Sequence, residues 1–321
     1  MARESRVCQA RDWYPDSIVL VSPSELLPRE ADQGVATPML PKLRFARLDA
    51  PIVLAHGLFG FTRIGLGRLT VTAYFRGIPS AMEEAGNRVL VTRVPPIAGT
   101  EKRASRLADQ IERAFPDEPI HLIGHSMGGL DARRMLANAE WQRRVLSLTT
   151  IGTPHLGTAL ADYAKLRVGR IYRLMASLGI DPQGCVDITR RAARRFHRLN
   201  PPPADIPCFS VAGDPIHETV CWPLQRTSAA LWELEGPNDG LVSVESALAF
   251  GTPLPLWPLD HFRQLNWLPH GESAVDLLPP IALYGQVVGH LASLGFGGET
   301  QPEVAQVQVD PPLLAAGPAI G

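Results

Sequence analysis

The chain has 321 residues, of which 45% are hydrophobic and 20% are charged, so it is long enough to bury a sizeable core. Its formal net charge of −1 gives no reason to expect nucleic acid or an anionic membrane as a partner. The first residues contain no apolar run of the length that a secretory signal needs, which predicts a cytoplasmic location. The most apolar long stretch, residues 277–296, includes two prolines, Gln286 and His290, and therefore predicts a core-facing helix and no transmembrane segment.

The predicted elements begin after residues 1–48, which read as an N-terminal extension of uncertain order. Strands are predicted at Ile52–Ala55, Arg88–Val94, Ile120–Ile123, Val145–Ile151, Ile206–Val211 and Pro253–Pro258. Helices are predicted at Tyr74–Ala85, Lys102–Phe115, Gly129–Asn138 and Leu277–Leu294. This alternation indicates an α/β domain over residues 49–296, with a mostly parallel central sheet and helices on both faces. The Pro-, Ala- and Gly-rich tail, residues 297–321, is predicted to be disordered.

Two insertions interrupt the alternation, at residues 159–200 and 213–235. Long insertions in a compact fold are usually functional or disordered. The apolar helical pattern of the first is compatible with a lid over an apolar site and equally with plain packing against the sheet. Within it, the arginines from Arg190 to Arg198 have helical spacing and are interpreted as a solvated face.

The four cysteines lack the spacing of a metal site, and no metal or cofactor is predicted. Cys208 lies in an apolar run and is predicted to be a buried thiol. The sequence leaves open whether Cys185 and Cys221 pair.

Residues 124–128 read Gly-His-Ser-Met-Gly between a predicted strand and a predicted helix. This Gly-x-Ser-x-Gly pattern is typical of a sharp turn that holds a nucleophilic serine, Ser126. Glycine at 124 and at 128 allows the strand and the helix to approach without Cβ clashes.

A serine hydroxyl needs a base, and the base needs an acid that fixes its tautomer. Of the six histidines after Ser126, His261 follows an apolar strand-like run and is favoured over His270 as the base. Asp239 lies in the turn sequence Asn-Asp-Gly and is the preferred acid, with Asp214 as its competitor. The alternative for Asp239 is a turn aspartate that bonds its own backbone.

The oxyanion of an acyl-transfer transition state requires backbone N–H donors. Met127 follows the nucleophile and supplies one at the start of the helix. Leu58, after the strand and His56-Gly57, is predicted to supply the other.

Together these segments resemble the true bacterial lipases of the Pseudomonas, Burkholderia and Proteus type, over about residues 50–295. The resemblance is carried by residues 51–61, 124–129 and 238–242, by Asp260-His261, and by Tyr74-Phe75-Arg76-Gly77-Ile78 and Thr153-Pro154-His155-Leu156-Gly157. It implies the α/β-hydrolase fold, hydrolysis of triacylglycerols or other carboxylic esters, the 159–200 insertion as a lid, and transient contact with a lipid–water interface.

Three positions depart from that family. Met127 stands where the family often has glutamine, and Arg263 stands where its calcium-binding aspartate would be. No cysteine lies between Asp239 and His261 to form the family's disulfide.

The sequence therefore predicts a serine esterase or lipase that works through an acyl-enzyme on Ser126. An acyltransferase or a thioesterase with the same three residues is the nearest alternative. A non-catalytic binding scaffold is disfavoured, because such a module has no need of all three.

Overall fold

The computed structural model describes residues 45–58, 63–66, 69–178, 181–267 and 278–298. The apolar runs of the sequence form the strands of one parallel sheet in the order β4-β1-β5-β6-β7-β8. These strands are β1 (Ile52–Ala55), β4 (Val89–Val91), β5 (Ile120–His125), β6 (Val145–Ile151), β7 (Cys208–Val211) and β8 (Thr252–Pro253). A short antiparallel hairpin, β2 (Arg63–Leu66) and β3 (Leu69–Ala73), lies between β1 and the first helix.

Ten α-helices lie in the described ranges. They are α1 (Ile78–Glu84), α2 (Thr100–Ala114), α3 (Met127–Met135), α4 (Ala139–Arg144), α5 (Ala159–Ser177), α6 (Gln183–Asp187), α7 (Arg190–Leu199), α8 (Trp222–Glu235), α9 (Val244–Ala247) and α10 (Leu278–Leu291). None of these helices combines the length and apolar character needed to cross a membrane.

Two apolar clusters cover the two faces of the sheet, because neighbouring residues of each strand point to opposite sides. Ile52 and Leu54 of β1 pack with Tyr284 of α10 in one cluster. Val53 of β1 packs with Leu107 of α2 in the other. The predicted α/β architecture with helices on both faces is confirmed.

Several predicted boundaries were wrong for local reasons. The strand predicted at Pro253–Pro258 is only Thr252–Pro253, because prolines lack the N–H that a ladder requires, although Trp257 still bridges to Gly213. The first helix begins at Ile78, after Gly77 with its positive φ of 74°, and not at Tyr74. The helix predicted at Gly129–Asn138 begins at Met127 and ends at Met135, and α4 follows it as a separate helix capped by Asn138.

The predicted domain limits receive only local evidence. Phe45 and Leu48, assigned by sequence to the extension, are buried in the apolar core, and Leu48 bridges to Gly297. Residues 1–44 and 299–321 lie outside the described residues, so the uncertain order of the extension and the disorder of the tail stay predictions. Cys208 is a buried thiol, and Cys221 is a free thiol as well, so no bridge joins it to Cys185.

Candidate active site

Ser126 lies at the turn between the end of β5 and the start of α3, with φ 55° and ψ −132°. A positive φ is strained for a residue with a Cβ, and it is retained where the surrounding structure enforces it. The Ser126 N–H donates to the Ile151 carbonyl at 2.8 Å, and the Thr153 hydroxyl donates to the Ser126 carbonyl at 2.8 Å. The end of β6 therefore fixes the turn.

Glycine is required at positions 124 and 128 because a side chain there would clash with neighbouring backbone. A Cβ at position 128 would lie 2.2 Å from the Ala55 carbonyl oxygen, and one at position 124 would lie 2.6 Å from the Gly129 nitrogen. Only glycine allows α3 to begin this close to β1 and β5.

The Asp239 carboxylate and the His261 imidazole form a buried pair, with 2.7 Å between Oδ2 and Nδ1. The Leu241 and Val242 N–H groups donate to the other carboxylate oxygen, Oδ1, and the His261 N–H donates to the Asp239 carbonyl at 2.8 Å. Asp239 thus bonds its own turn, as the alternative interpretation anticipated, and also bonds the imidazole. Because Nδ1–H is held by the carboxylate, Nε2 is left with the lone pair that a base requires.

Gly152, directly after β6, locates this pair relative to the serine. A Cβ on Gly152 would lie 3.0 Å from Asp239 Oδ2 and 3.2 Å from His261 Nδ1, and the preceding residue, Ile151, accepts the Ser126 N–H. The rings of His261 and His125 are 4.6 Å apart between centroids. The Asp239–His261 pair therefore lies at the carboxyl ends of β5 and β6, next to the turn that carries Ser126.

The competing residues lie in other surroundings. Asp214 follows β7, where its N–H donates to the Trp257 carbonyl, and burial raises the pKa of its carboxyl. His155 is fully buried and bonds Arg133 and Thr150. His270 lies outside the described residues. Asp260, next to the predicted base, accepts the N–H groups of Cys221, Phe262 and Arg263 and so points away from it.

The loop after β1 is held so that one N–H remains for an oxyanion. The Gly57 N–H donates to the Tyr74 hydroxyl at 2.8 Å, which leaves the next N–H, that of Leu58, without an acceptor among the described residues. The buried Arg103 guanidinium donates to the carbonyls of His56 and Gly57, at 2.6 and 3.2 Å. Met127, the first residue of α3, carries the N–H group predicted as the second oxyanion donor. The first N–H groups of a helix have no partner within the helix.

His56 completes this loop in its neutral form. Its Nδ1–H donates to the Gly57 carbonyl at 2.9 Å, and its Nε2 accepts the Val94 N–H at 3.2 Å. Burial lowers the pKa of His56 to about 4. The imidazole is therefore a structural brace of the loop at neutral pH.

A chain of buried hydrogen bonds joins the oxyanion loop to the acid. The Tyr74 hydroxyl, having accepted the Gly57 N–H, donates to His125 Nδ1 at 2.9 Å. His125 Nε2–H then donates to the Gln264 amide oxygen at 3.1 Å, and the Gln264 amide nitrogen donates to Asp239 Oδ2 at 3.0 Å. Burial, together with the neighbouring His261, holds the pKa of His125 well below its ordinary value, which matches the neutral tautomer that this chain requires.

Sequence reasoning missed Tyr74, His125 and Gln264 as members of the site. His125 stood inside the serine motif and Tyr74 inside a segment of the resemblance, but Gln264 carried no signal beyond its place three residues after His261. Their contacts arise only when three distant loops meet.

Helix α6 of the first insertion lies against the oxyanion loop. A Cβ on Gly184 would lie 2.8 Å from Leu58 Cδ2, and the Gly184 N–H donates to the Ile97 carbonyl at 3.0 Å. The Asp187 carboxylate accepts the Thr100 N–H at 2.7 Å, so the insertion caps α2, whose own N-cap, Gly99, has no side chain. This placement brings the first insertion into contact with the loop after β1.

No group of three or more His, Cys, Asp or Glu side chains that could hold a metal ion occurs in the described part of the chain. Arg263, at the position of the family's calcium-binding aspartate, forms an ion pair with Asp260 at 3.6 Å.

Comparisons with known proteins agree on the fold and the kind of enzyme. Residues 50–239 match the family described as alpha/beta hydrolase fold. A triacylglycerol lipase of Vibrio cholerae is 31% identical over 305 residues, covering 82% of this chain and 94% of the relative. Triacylglycerol lipase 2 of Saccharomyces cerevisiae is 29% identical over 209 residues, covering 60% of this chain and 62% of the yeast protein. The lipase of Staphylococcus hyicus superposes with a TM-score of 0.58 at 20% identity, covering 77% of this chain and 96% of that one, which shows the fold alone.

Proposed function

Because the chain belongs to the α/β-hydrolase fold family and is a hydrolase of its lipase and esterase type, we propose that it hydrolyses acylglycerols or other lipid carboxylic esters through an acyl-enzyme on Ser126. The chain spans 62% of the length of the yeast relative. The observation that carries it is the buried 2.7 Å bond between Asp239 and His261 beside a serine held at φ 55°.

The proposed reaction follows from the donors and acceptors of the site. His261 Nε2 takes the Ser126 hydroxyl proton as the oxygen attacks the ester carbonyl, and Asp239 stabilises the imidazolium that forms. The Leu58 and Met127 N–H groups donate to the oxyanion. The imidazolium then protonates the departing alcohol, which leaves the acyl group on Ser126. A water molecule, deprotonated by His261, attacks that acyl group; the imidazolium then returns the proton to the Ser126 oxygen as the bond between it and the acyl carbon breaks and the acid is released.

Two further points belong to the proposal. The 159–200 insertion acts as the lid, which is supported by the contact of α6 with Leu58. Membership of the Pseudomonas, Burkholderia and Proteus type of lipase is proposed on the quoted motifs and on triacylglycerol lipase relatives such as that of Vibrio cholerae. The cytoplasmic location stays a prediction.

The test is a series of p-nitrophenyl esters from short to long acyl chains, combined with fluorophosphonate labelling. We expect turnover that Ser126→Ala abolishes, and labelling of Ser126 alone. Turnover of short esters without hydrolysis of emulsified triacylglycerol would restrict the proposal to an esterase. If no ester is hydrolysed and Ser126 is not labelled, the proposal fails.

A further inference from the structure

Helix α7 presents an unbroken arginine face to solvent. Arg191, Arg194, Arg195 and Arg198 are all exposed, and their spacing places them on one side of the helix. Arg190 differs, because it pairs with Asp162 at 2.6 Å. One exposed cation of the adjoining helix α5, Lys165, lines a cleft together with Arg191 and Arg195 and so extends the face. We call Lys165, Arg191, Arg194, Arg195 and Arg198 the basic surface.

The cations of the basic surface are not paired with acids. No ion pair within 4.0 Å is formed by any of its five residues in the part of the chain that the structure describes, although the carboxylates of Glu101 and Asp187 line the same cleft. The nearby acids are engaged elsewhere: Glu101 pairs with Arg134, and Asp187 accepts the Thr100 N–H and the Gln183 amide. Although the formal net charge of the whole chain is −1, the predicted lid therefore carries a strongly positive region.

Apolar side chains and a cleft accompany these charges. Leu199, the last residue of α7, is 69% exposed, and Leu166, in the middle of α5, is 84% exposed. A cleft of about 700 Å³ is lined by Phe196, by the cations Arg134, Lys165, Arg191 and Arg195, and by the carboxylates of Glu101 and Asp187. Basic residues interspersed with exposed leucines are typical of segments that lie at the surface of anionic lipid.

We propose that the basic surface docks the protein on an anionic lipid surface, with lipid phosphates bound by the exposed arginines of α7 and by Lys165 of α5. This rests on the proposed function in one respect, since it would bring a lipid-ester hydrolase to its substrate. The exposed leucines favour a lipid surface over a nucleic acid, because a polyphosphate strand offers them no apolar partner.

The proposal is tested by vesicle co-sedimentation of the full-length chain carrying Ser126→Ala, so that bound lipid is not hydrolysed. Vesicles of phosphatidylcholine alone are compared with vesicles that also contain phosphatidylglycerol, at about 0.05 M and about 0.5 M salt. We expect binding only with the anionic lipid, weakened by salt. Reversing two charges, Arg191→Glu with Arg195→Glu, should lower the affinity roughly 100-fold or more. A matched reversal of exposed arginines on α2 and α4, Arg113→Glu with Arg143→Glu, should leave it within about threefold.

A soluble short-chain ester, assayed with both reversals and an intact serine, shows that the variants fold and keeps the two proposals apart. Loss of ester turnover in the unaltered chain would defeat the hydrolase proposal while vesicle binding still supported docking. Equal binding to neutral vesicles, unchanged binding of the Arg191 and Arg195 reversal, or tighter binding to an oligonucleotide than to vesicles would overturn the docking proposal.

Discussion

Replacing Asp239 with asparagine reverses the proton arrangement of the site without changing its shape. Oδ1 accepts two backbone N–H groups, from Leu241 and Val242, so the oxygen of the new amide must stay there. The amide nitrogen then takes the place of Oδ2, which now accepts from His261 Nδ1 and Gln264 Nε2. The N–H donors of His261 Nδ1 and Gln264 Nε2 would then face the amide NH₂ of the asparagine, which is itself a donor.

The imidazole can relieve this conflict only by changing tautomer. His261 Nδ1 becomes an acceptor and Nε2 carries the proton, so Nε2 cannot take a proton from Ser126. A wrongly fixed tautomer lowers kcat about 10⁴-fold, which corresponds to about 5.5 kcal/mol of transition-state stabilisation. The two backbone bonds are kept and the tautomer change restores a bond to the imidazole, so the loss of stability should be limited to about 1.5–3 kcal/mol for the charge-assisted bond from Gln264.

The assay is kcat and KM for a soluble p-nitrophenyl ester, with urea unfolding of the same preparations. Asp214→Asn is the matched control, because that carboxyl makes no bond to His261; its kcat should stay within about threefold of the unaltered value. Retention of more than about a tenth of kcat by Asp239→Asn, or an equal loss in Asp214→Asn, would refute the assignment of the acid.

Three more changes test separate parts of the structure. Gly57→Ala places a methyl group 2.6 Å from Ser126 Cβ and should lower kcat about 10²–10³-fold, whereas Gly289→Ala, with nothing within 4 Å, should not; similar rates would contradict the role of the loop. Gln264→Met removes the buried bonds of that amide to His125, Asp239 and Leu259 and should lower the free energy of unfolding by about 2–4 kcal/mol, measured in urea; a change below about 0.5 kcal/mol would be the contrary result. Burial lowers the pKa of His121 to about 4. As the pH falls, the imidazole is therefore protonated in the unfolded chain before it is protonated in the folded protein. The stability present above pH ~6.5 is lost as the pH falls toward 4. At pH ~5 the loss is about 2 kcal/mol, and His121→Asn should flatten that part of the stability profile; an unaltered slope between pH ~7 and ~5 would exclude the effect.

The sequence predicts those parts of the site that depend on neighbouring residues in the chain. The serine turn is recognised from five consecutive residues, with glycine at 124 and 128. The order of serine, acid and base along the chain then limits the candidates to residues such as Asp239 and His261. The buried strands β1, β5 and β6 were equally clear, since each is a short apolar run.

The missed parts depend on contacts between distant segments. Arg103 looks like any arginine on an amphipathic helix, yet it is fully buried, pairs with Asp131 and holds two carbonyls of the oxyanion loop. Gln264 acquires its role only when the segment after β8 meets His125 at the end of β5 and Asp239 in the turn after α8. Strand ends were misjudged where proline removed a ladder donor, as at Pro253.

The bond from the Thr100 N–H to Asp187 links the first insertion to the start of α2, so the two cannot move apart without breaking it. Any displacement of the insertion that uncovers Leu58 also draws Asp187 from Thr100 and leaves the first turn of α2 without its cap, at a cost of about 1 kcal/mol. That same turn carries Arg103, which grips the carbonyls of His56 and Gly57. For the proposed lid and oxyanion loop, the expected consequence is that opening the entrance loosens the support of the loop, so that access for a bulky substrate and rigidity of the N–H donors oppose each other.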